Sequence, residues 1–379
     1  MEDQLISAEP VQKKQVLIWR IVSLILLIFL VTVVVLYACG VGWKKKEEEK
    51  EPKKEEGGYY ESEITLWNES SPIHTKLFPY IRDIKDENST NFIPVKERIA
   101  VFDLDGTLFC ETDPIYFDWN MFAYRVLDDP DYKATEDDKI LGREIRAANI
   151  HDLPDNIEER HSRRNPAVFA NMTMPEYAAY IKKFLDQPSP GYDNLKRGDA
   201  FYKPMLEVVS YLQKNDFTVY IVSGTDRFEV RNIVEGKVNI PESQIIGSVS
   251  SVKASGQGNK DGLHYQFQKN DTVILGGRFI IKNVKMNKVN TITTEIGKKP
   301  VLSFGNSSGD KSMATFVTSD NKYKSLAFQL CCDDEERENG NKTKAEIMRN
   351  ICKENNWEAI SMKNDWKTIY GDNVKRHKQ

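Results

Sequence analysis

The fold class that this sequence predicts is α/β, a parallel sheet flanked by helices, and three observations predict it. First, three short apolar runs stop at small or oxygen-bearing residues. Ile99 to Phe102 stops before Asp103, Asp105, Gly106 and Thr107; Phe217 to Val222 stops before Ser223, Gly224 and Thr225; Val301 to Phe304 stops before Gly305, Asn306 and Asp310. Runs of this length bounded by turn residues fit buried parallel strands, and open sheets hold ligands at the carboxyl ends of such strands. Second, helical patterns such as Pro204 to Gln213 and Lys342 to Asn355 separate and follow the runs. Third, the chain has 379 residues of which 40% are apolar, enough to fill a substantial core.

Taken in order, residues 1–15 form a polar tail. Ile21 to Trp43 carries no charged residue, and its 23 residues, at about 1.5 Å each, would cross a hydrocarbon core of roughly 30 Å. Residues 16–43 are therefore predicted to be a single transmembrane helix, with the membrane as a partner. Leu36-Tyr37-Ala38-Cys39-Gly40 also loosely resembles a bacterial lipid-attachment signal, with Cys39 as the acceptor. Lys13, Lys14 and Arg20 before the run balance Lys44, Lys45 and Lys46 after it. The orientation is thus not set by charge, and a large domain after one early span is compatible with an extracytoplasmic location. Residues 44–58 are almost pure Lys and Glu, the composition of a solvated spacer. The globular domain is expected over 59–379.

After Leu108 the pattern becomes helical and aromatic, with Tyr116, Phe117, Trp119, Phe122 and Tyr124, and a further helical piece runs from Pro175 to Leu185. Residues 111–198 read as a helical cap inserted between two halves of the sheet, its aromatics more in keeping with packing than with a ligand box. Val273 to Ile281 is followed by Lys282, Lys285 and Lys288, and Ser325 to Leu330 supplies a fourth strand candidate. A net charge of −4 argues against a protein whose main partner is nucleic acid. The five cysteines match neither a zinc spacing nor a regular disulfide framework.

A parallel sheet would gather Asp103, Asp105, Ser223, Asn306 and Asp310 at one edge. Two carboxylates at positions 103 and 105 share a face of the strand end, so one can act as nucleophile and the other as general acid and base. An acidic Asp-Gly turn alone is usually just a turn, but the later segments supply partners for the pair. If a carboxylate attacks phosphorus, it needs a divalent cation, a lysine to spread charge, and hydroxyl or N–H donors for the phosphoryl oxygens. Oxygen ligands from Asp103, the Asp105 backbone, Asn306 or Asp310, and water suit Mg²⁺.

Together, Asp-Leu-Asp-Gly-Thr at 103–107, Ser223-Gly224-Thr225, a downstream lysine and Gly-Asn-Ser-Ser-Gly-Asp at 305–310 resemble the motifs of the haloacid dehalogenase superfamily of aspartate-nucleophile phosphatases. The nearer likeness, over roughly residues 95–370, is to the phosphoserine and phosphorylcholine phosphatase-like branch. This resemblance implies a Rossmann-like sheet with a helical cap, Asp103 as nucleophile, Asp105 as acid and base, and Ser223 as phosphate-binding hydroxyl. It also implies Lys288 as the lysine, with Lys285 as second choice. Thr107, Gly224 and Thr225 are implied as substrate contacts, and Asp103, Asp105, Asn306 and Asp310 as Mg²⁺ ligands. Asn306 stands where the family usually has an aspartate and brings no charge to the metal. Glu111 lies one residue before the substrate-recognising glutamate of the phosphoserine-type enzymes. With Phe109, Tyr116 or Trp119 it is expected to receive a substrate ammonium, although a plain cap-hinge glutamate fits the same position.

The expected activity is Mg²⁺-dependent hydrolysis of a small phosphomonoester through an aspartyl-phosphate, with phosphocholine and phosphoserine as candidate amine-bearing substrates. Presence of Asp105 favours ester hydrolysis over halide displacement. A catalytically weak or inactive scaffold on the same fold, and a phosphotransferase using the same residues, are the alternatives.

Overall fold

The computed structural model describes residues 59–377 and, before them, helical positions at Arg20, Ser23, Leu26, Leu27, Val31 and Thr32. Among the described residues no helix is long and apolar enough to cross a membrane. This overturns the expected single-pass anchor and the extracytoplasmic placement built on it. The uncharged run from Ile21 to Trp43 that suggested them is a property of composition, and only Ser23, Leu26, Leu27, Val31 and Thr32 of it are among the described residues. The rest of 16–43, including Cys39, lies outside the described residues, as do the tail 1–15 and the spacer 44–58.

The first α-helix of the domain, α1 (Phe78–Lys85), buries Phe78, Tyr80, Ile81 and Ile84. It leads to β1 (Ile99–Phe102), four residues that are all buried. The inserted segment then carries α2 (Phe117–Leu127), α3 (Glu136–Ala147), α4 (Ile157–Val168) and α5 (Met174–Leu185). Thr135 caps α3 through the Asp138 N–H, and Thr173 with Glu176 closes a reciprocal capping box on α5. A two-residue strand, β2 (Tyr192–Asp193), follows. The sheet resumes with α6 (Lys203–Lys214), β3 (Thr218–Asp226), α7 (Arg227–Val234), β4 (Ile245–Ala254) and β5 (Val273–Ile281). It continues through α8 (Met286–Thr291), β6 (Leu302–Gly305), α9 (Lys311–Thr318), β7 (Leu326–Cys331) and α10 (Lys342–Asn355). The chain finishes on β8 (Glu358–Ser361), α11 (Met362–Asp365) and β9 (Lys375–Arg376), which pairs with β2.

Seven strands form one sheet in the order β5-β4-β3-β1-β6-β7-β8, and every neighbouring pair is parallel except β4 with β5. The chain therefore passes from β1 to β3 on one side and reaches β6 on the other, which makes the carboxyl end of β1 the switch point of the sheet. Alternate side chains of β1 face opposite layers. Ala100 and Phe102 join the larger core with Phe78 of α1 and Met205 of α6, while Val101 packs with Ile292, Met313 and Val317 on the other face.

Register fixes where each strand stops. Phe102, Phe304 and Phe328 are directly paired across β1, β6 and β7, and their rings stack with centroids 4.2 and 4.8 Å apart. The Asp103 N–H continues the ladder to the Phe304 carbonyl (2.9 Å), so Asp103 and the Gly305-Asn306 turn leave the sheet side by side. β3 differs from the run expected over 217–222: it continues through Ser223, Gly224 and Thr225 to Asp226, which pairs with Ser248 of β4 across a register irregularity. β4 and β8 were not anticipated, because β4 mixes serines with its apolar residues and β8 is only four residues long.

The chain enters and leaves the helical insertion through a clamp. Phe109 and Phe201 form an antiparallel bridge, the Cys110 N–H donates to the Ala200 carbonyl (2.9 Å), and the Tyr202 N–H donates to the Leu108 carbonyl (2.9 Å). The buried Glu338 carboxylate accepts from Thr112 at the entry, from Tyr192 at the return, and from Tyr370 near the C-terminus. Truncating the middle ring of the stacked phenylalanines removes packing on both sides. Phe304→Ala is expected to lower the unfolding free energy by about 3–5 kcal/mol, measured by urea denaturation.

Candidate active site

Asp103 is the first residue beyond β1 and is 6% exposed. Its Oδ1 accepts from Lys288 Nζ at 2.5 Å, and the same ammonium donates to Asp310 Oδ1 at 2.6 Å. Lys288 is itself only 1% exposed, so one buried cation is shared by two buried carboxylates. Burial pushes the Asp103 carboxyl above the usual range; the charge of Asp310 adds to the shift and the Lys288 ammonium opposes it. For Lys288, burial favours the neutral amine, but the two carboxylates outweigh it and hold the ammonium firmly protonated.

Several local features deliver that lysine. Lys285 precedes α8 at φ 54°, a conformation that costs energy for a residue with a side chain, and its N–H donates to the Gly309 carbonyl (2.8 Å). Asn283, fully buried, donates from Nδ2 to the Ser223 carbonyl (3.0 Å) and accepts from Thr291 Oγ1 (2.9 Å), while its N–H reaches Ser248 Oγ (2.9 Å). It thus ties the segment before α8 to β3 and β4. Asn283 was missed in the sequence, where a lone Asn between basic residues carries no distinguishing pattern.

Asp105 also lies at the β1 end. Its Oδ2 accepts from Thr225 Oγ1 at 2.8 Å and from Ser223 Oγ at 3.5 Å, so Thr225 is the closer partner. Ser223 Oγ in turn accepts from the Thr225 N–H (3.0 Å). Asp105 Oδ1 is buried with no hydrogen-bond partner, and burial raises the carboxyl above its ordinary value against the Thr225 hydrogen bond.

Asn306 faces away from this group. Its Nδ2 donates to Glu111 Oε1 (3.0 Å), and its Oδ1 accepts from the buried Thr107 hydroxyl at 3.5 Å. Asp310 Oδ2 closes the loop by accepting from the Asn306 N–H (3.1 Å), the Ser307 N–H (3.1 Å) and Ser307 Oγ (3.2 Å). Glu111 is pushed up to about 8 by burial, against the Asn306 hydrogen bond and with the charges of Asp105 and Asp103 adding.

Asp103, Asp105, Glu111, Gly224, Thr225, Lys288 and Asp310 border one cavity of about 230 Å³, closed from the cap side by Tyr116, Trp119, Leu153 and Glu158. Of the aromatics expected near Glu111, Tyr116 and Trp119 border this cavity, whereas Phe109 packs into the core against Phe117 and Phe201. Lys282 and Lys285 add positive charge to the rim. Among the described residues no three His, Cys, Asp or Glu side chains converge as a metal cage. The donors present are oxygens of isolated carboxylates, main chain and amide, a set that suits a largely hydrated Mg²⁺ rather than a metal held wholly by protein.

No family model and no curated protein matches the chain. Similar solved structures include a conserved protein of unknown function from Anaerococcus prevotii (14% identity, TM-score 0.46, covering 78% of this chain and 92% of that one). Others are cytosolic 5'-nucleotidase IIIB bound to cytidine (12%, TM-score 0.45, 77% and 87%) and a phosphoserine phosphohydrolase-like protein from Francisella tularensis (13%, TM-score 0.34, 62% and 87%).

Two outcomes follow from this geometry. A Cβ on Gly106, which sits at φ +75°, would lie 1.9 Å from Asn306 Nδ2 and 2.6 Å from Glu111 Cδ. Gly106→Ala is therefore expected to destabilise the fold by about 1–3 kcal/mol in urea unfolding, combining backbone strain with displacement of that pair. Because the folded state holds the Glu111 proton up to about pH 8 and the unfolded chain releases it near 4.5, this residue contributes stability at low pH that is lost as pH rises through 8. Glu111→Gln should flatten the fall in urea midpoint between about pH 5 and 8 relative to wild type.

Proposed function

We propose that this chain is a phosphomonoesterase of the haloacid dehalogenase type, working through an aspartyl-phosphate. The observation that carries the reading is the pairing of Asp103, one oxygen on Lys288, with Asp105, whose buried carboxyl is held by Thr225 with one oxygen unpartnered.

In this reading a carboxylate oxygen of Asp103 attacks phosphorus, the ester P–O bond breaks, and Asp105 delivers its proton to the departing alkoxide. Burial of Asp105 supports that role, since it raises the carboxyl above its ordinary value and so favours the protonated form that the step starts from. Water then attacks the aspartyl-phosphate as Asp105 takes a proton back, regenerating Asp103 and releasing phosphate. Lys288 offsets charge beside the nucleophile, while Asp310 holds the lysine and the start of the 306–309 loop. Gly224 and Thr225, which border the cavity, are proposed to face the phosphoryl group, with the buried Ser223 and Thr107 hydroxyls behind them. Mg²⁺, when bound, would neutralise phosphoryl oxygens, held by Asp103, the Asp105 main chain and Asp310 with water completing its shell.

Retention of the Asp103, Asp105 and Lys288 set favours catalysis over a scaffold role. An amine-bearing substrate is less well supported: Glu111 is engaged by Asn306 and is largely neutral at pH 7, so it offers an ammonium no ready anion. A phosphotransferase would use the same groups, and product analysis with an added alcohol separates it from hydrolysis. The test is phosphate release from para-nitrophenyl phosphate. Wild type with Mg²⁺ should turn over and lose activity in EDTA, and Asp103→Asn should cut kcat by on the order of a thousandfold or more. A wild-type chain inactive from pH 5 to 9 with Mg²⁺, or an Asp103→Asn chain of wild-type rate, overturns the reading.

A further inference from the structure

A second cavity, of about 380 Å³, opens beside the site, and the two share Glu111, Tyr116, Leu153, Ser307 and Ser308 along their borders. Its walls come from elements with no part in the chemistry proposed above. One face of α10 supplies Ala345, Met348 and Ile351 at intervals of three residues, the end of β7 supplies Leu330, and the segment between α3 and α4 supplies Ile150 and Leu153. Ile347, 55% exposed, stands at its edge.

Two of the polar groups on these walls are engaged within the protein. His151 Nε2 pairs with the Asn339 carbonyl at 2.9 Å, and Asn341 Oδ1 caps α10 by accepting from the Lys344 N–H at 2.9 Å. The surface that faces the cavity is mainly hydrocarbon, with Ser308 and Lys344 also on its border. Its volume is within the range of about 300–1,000 Å³ of small-molecule pockets, and it is larger than the phosphate end that it adjoins.

We propose that this annex receives the leaving group, so that the substrate is the phosphomonoester of an apolar alcohol, its phosphate beside Asp103 and its hydrocarbon against α10. The proposal rests on the phosphomonoesterase reading, because the phosphate end must be anchored for the annex to select anything. It sets specificity through chain length rather than through an ammonium group.

The test compares ethyl phosphate with n-octyl phosphate, whose leaving alcohols have nearly the same acidity, on the full chain with Mg²⁺, and measures octyl phosphate binding to Asp103→Asn by calorimetry. The expected result is a kcat/KM at least about tenfold higher for the octyl ester, with Ile347→Asn and Met348→Asn each lowering the octyl-to-ethyl ratio severalfold. Equal kcat/KM for the two esters, or a ratio unmoved by both variants, overturns the annex and leaves the phosphatase standing. Octyl phosphate binding with no turnover of octyl, ethyl or para-nitrophenyl phosphate by wild type keeps the annex and overturns the phosphatase; neither octyl phosphate binding nor turnover of any of the three overturns both.

Discussion

The site depends on one buried cation. Lys288 spans the 2.5 Å to Asp103 and 2.6 Å to Asp310, and in doing so ties together three segments that are 185 and 22 residues apart in sequence. Burying three charges is costly, and such an arrangement persists only with close geometry and further hydrogen bonds to the remaining atoms. Asp310 meets that condition through the 306–307 backbone. The lysine thereby does two things at once: it offsets charge beside Asp103, and it makes the loop after β6 part of the same rigid unit as the end of β1.

That unit needs the strands to end level with one another, and the stacked phenylalanines do this. With Phe102, Phe304 and Phe328 in register, a slip of one residue between β1 and β6 would turn these rings to the other face and carry Asp103 away from Gly305. Close approach is also built into the turn itself. A Cβ on Gly305 would come within 2.6 Å of the Asp310 Cβ, so the loop can fold back onto Lys288 only with glycine there. Lys285, with φ 54°, carries comparable strain on the lysine's own side. The energy for these strained points comes from the packed sheet beneath them.

These dependencies explain what could be read from the sequence. The edge of the sheet was legible because apolar runs that end in Asp, Ser or Gly are a local pattern; Asp103 and the 305–310 turn do lie at strand ends, whereas Ser223 lies inside β3, which runs on to Asp226. Lys288 was legible only through its family resemblance, since three lysines of the 282–288 stretch look alike until the φ of Lys285 decides which one points inward. Thr225 as the nearer partner of Asp105 was hidden because β3 runs on through the Ser-Gly-Thr turn, and which hydroxyl faces Asp105 depends on the pairing with β4. The annex was invisible for a different reason. Ala345, Met348 and Ile351 make an ordinary amphipathic stripe, and nothing in such a stripe tells whether it meets a core or a cavity.

Asn306 takes on a different meaning in this setting. The family resemblance would place an aspartate there, and the amide looks like a loss of charge from a metal site. In the structure its Nδ2 donates to Glu111 Oε1 while the opposite side of the amide meets the Thr107 hydroxyl. An aspartate at 306 would set a carboxylate against the Glu111 carboxyl in a site that already holds Asp103, Asp105 and Asp310, and both would be driven toward the neutral form. The amide supplies a donor to the Glu111 oxygen without adding another acid to the site. Glu111 and Asn306 also sit against Gly106, at the junction of the two cavities, so the pair forms part of the wall between them. The amide at position 306 is thus accounted for by the glutamate it faces.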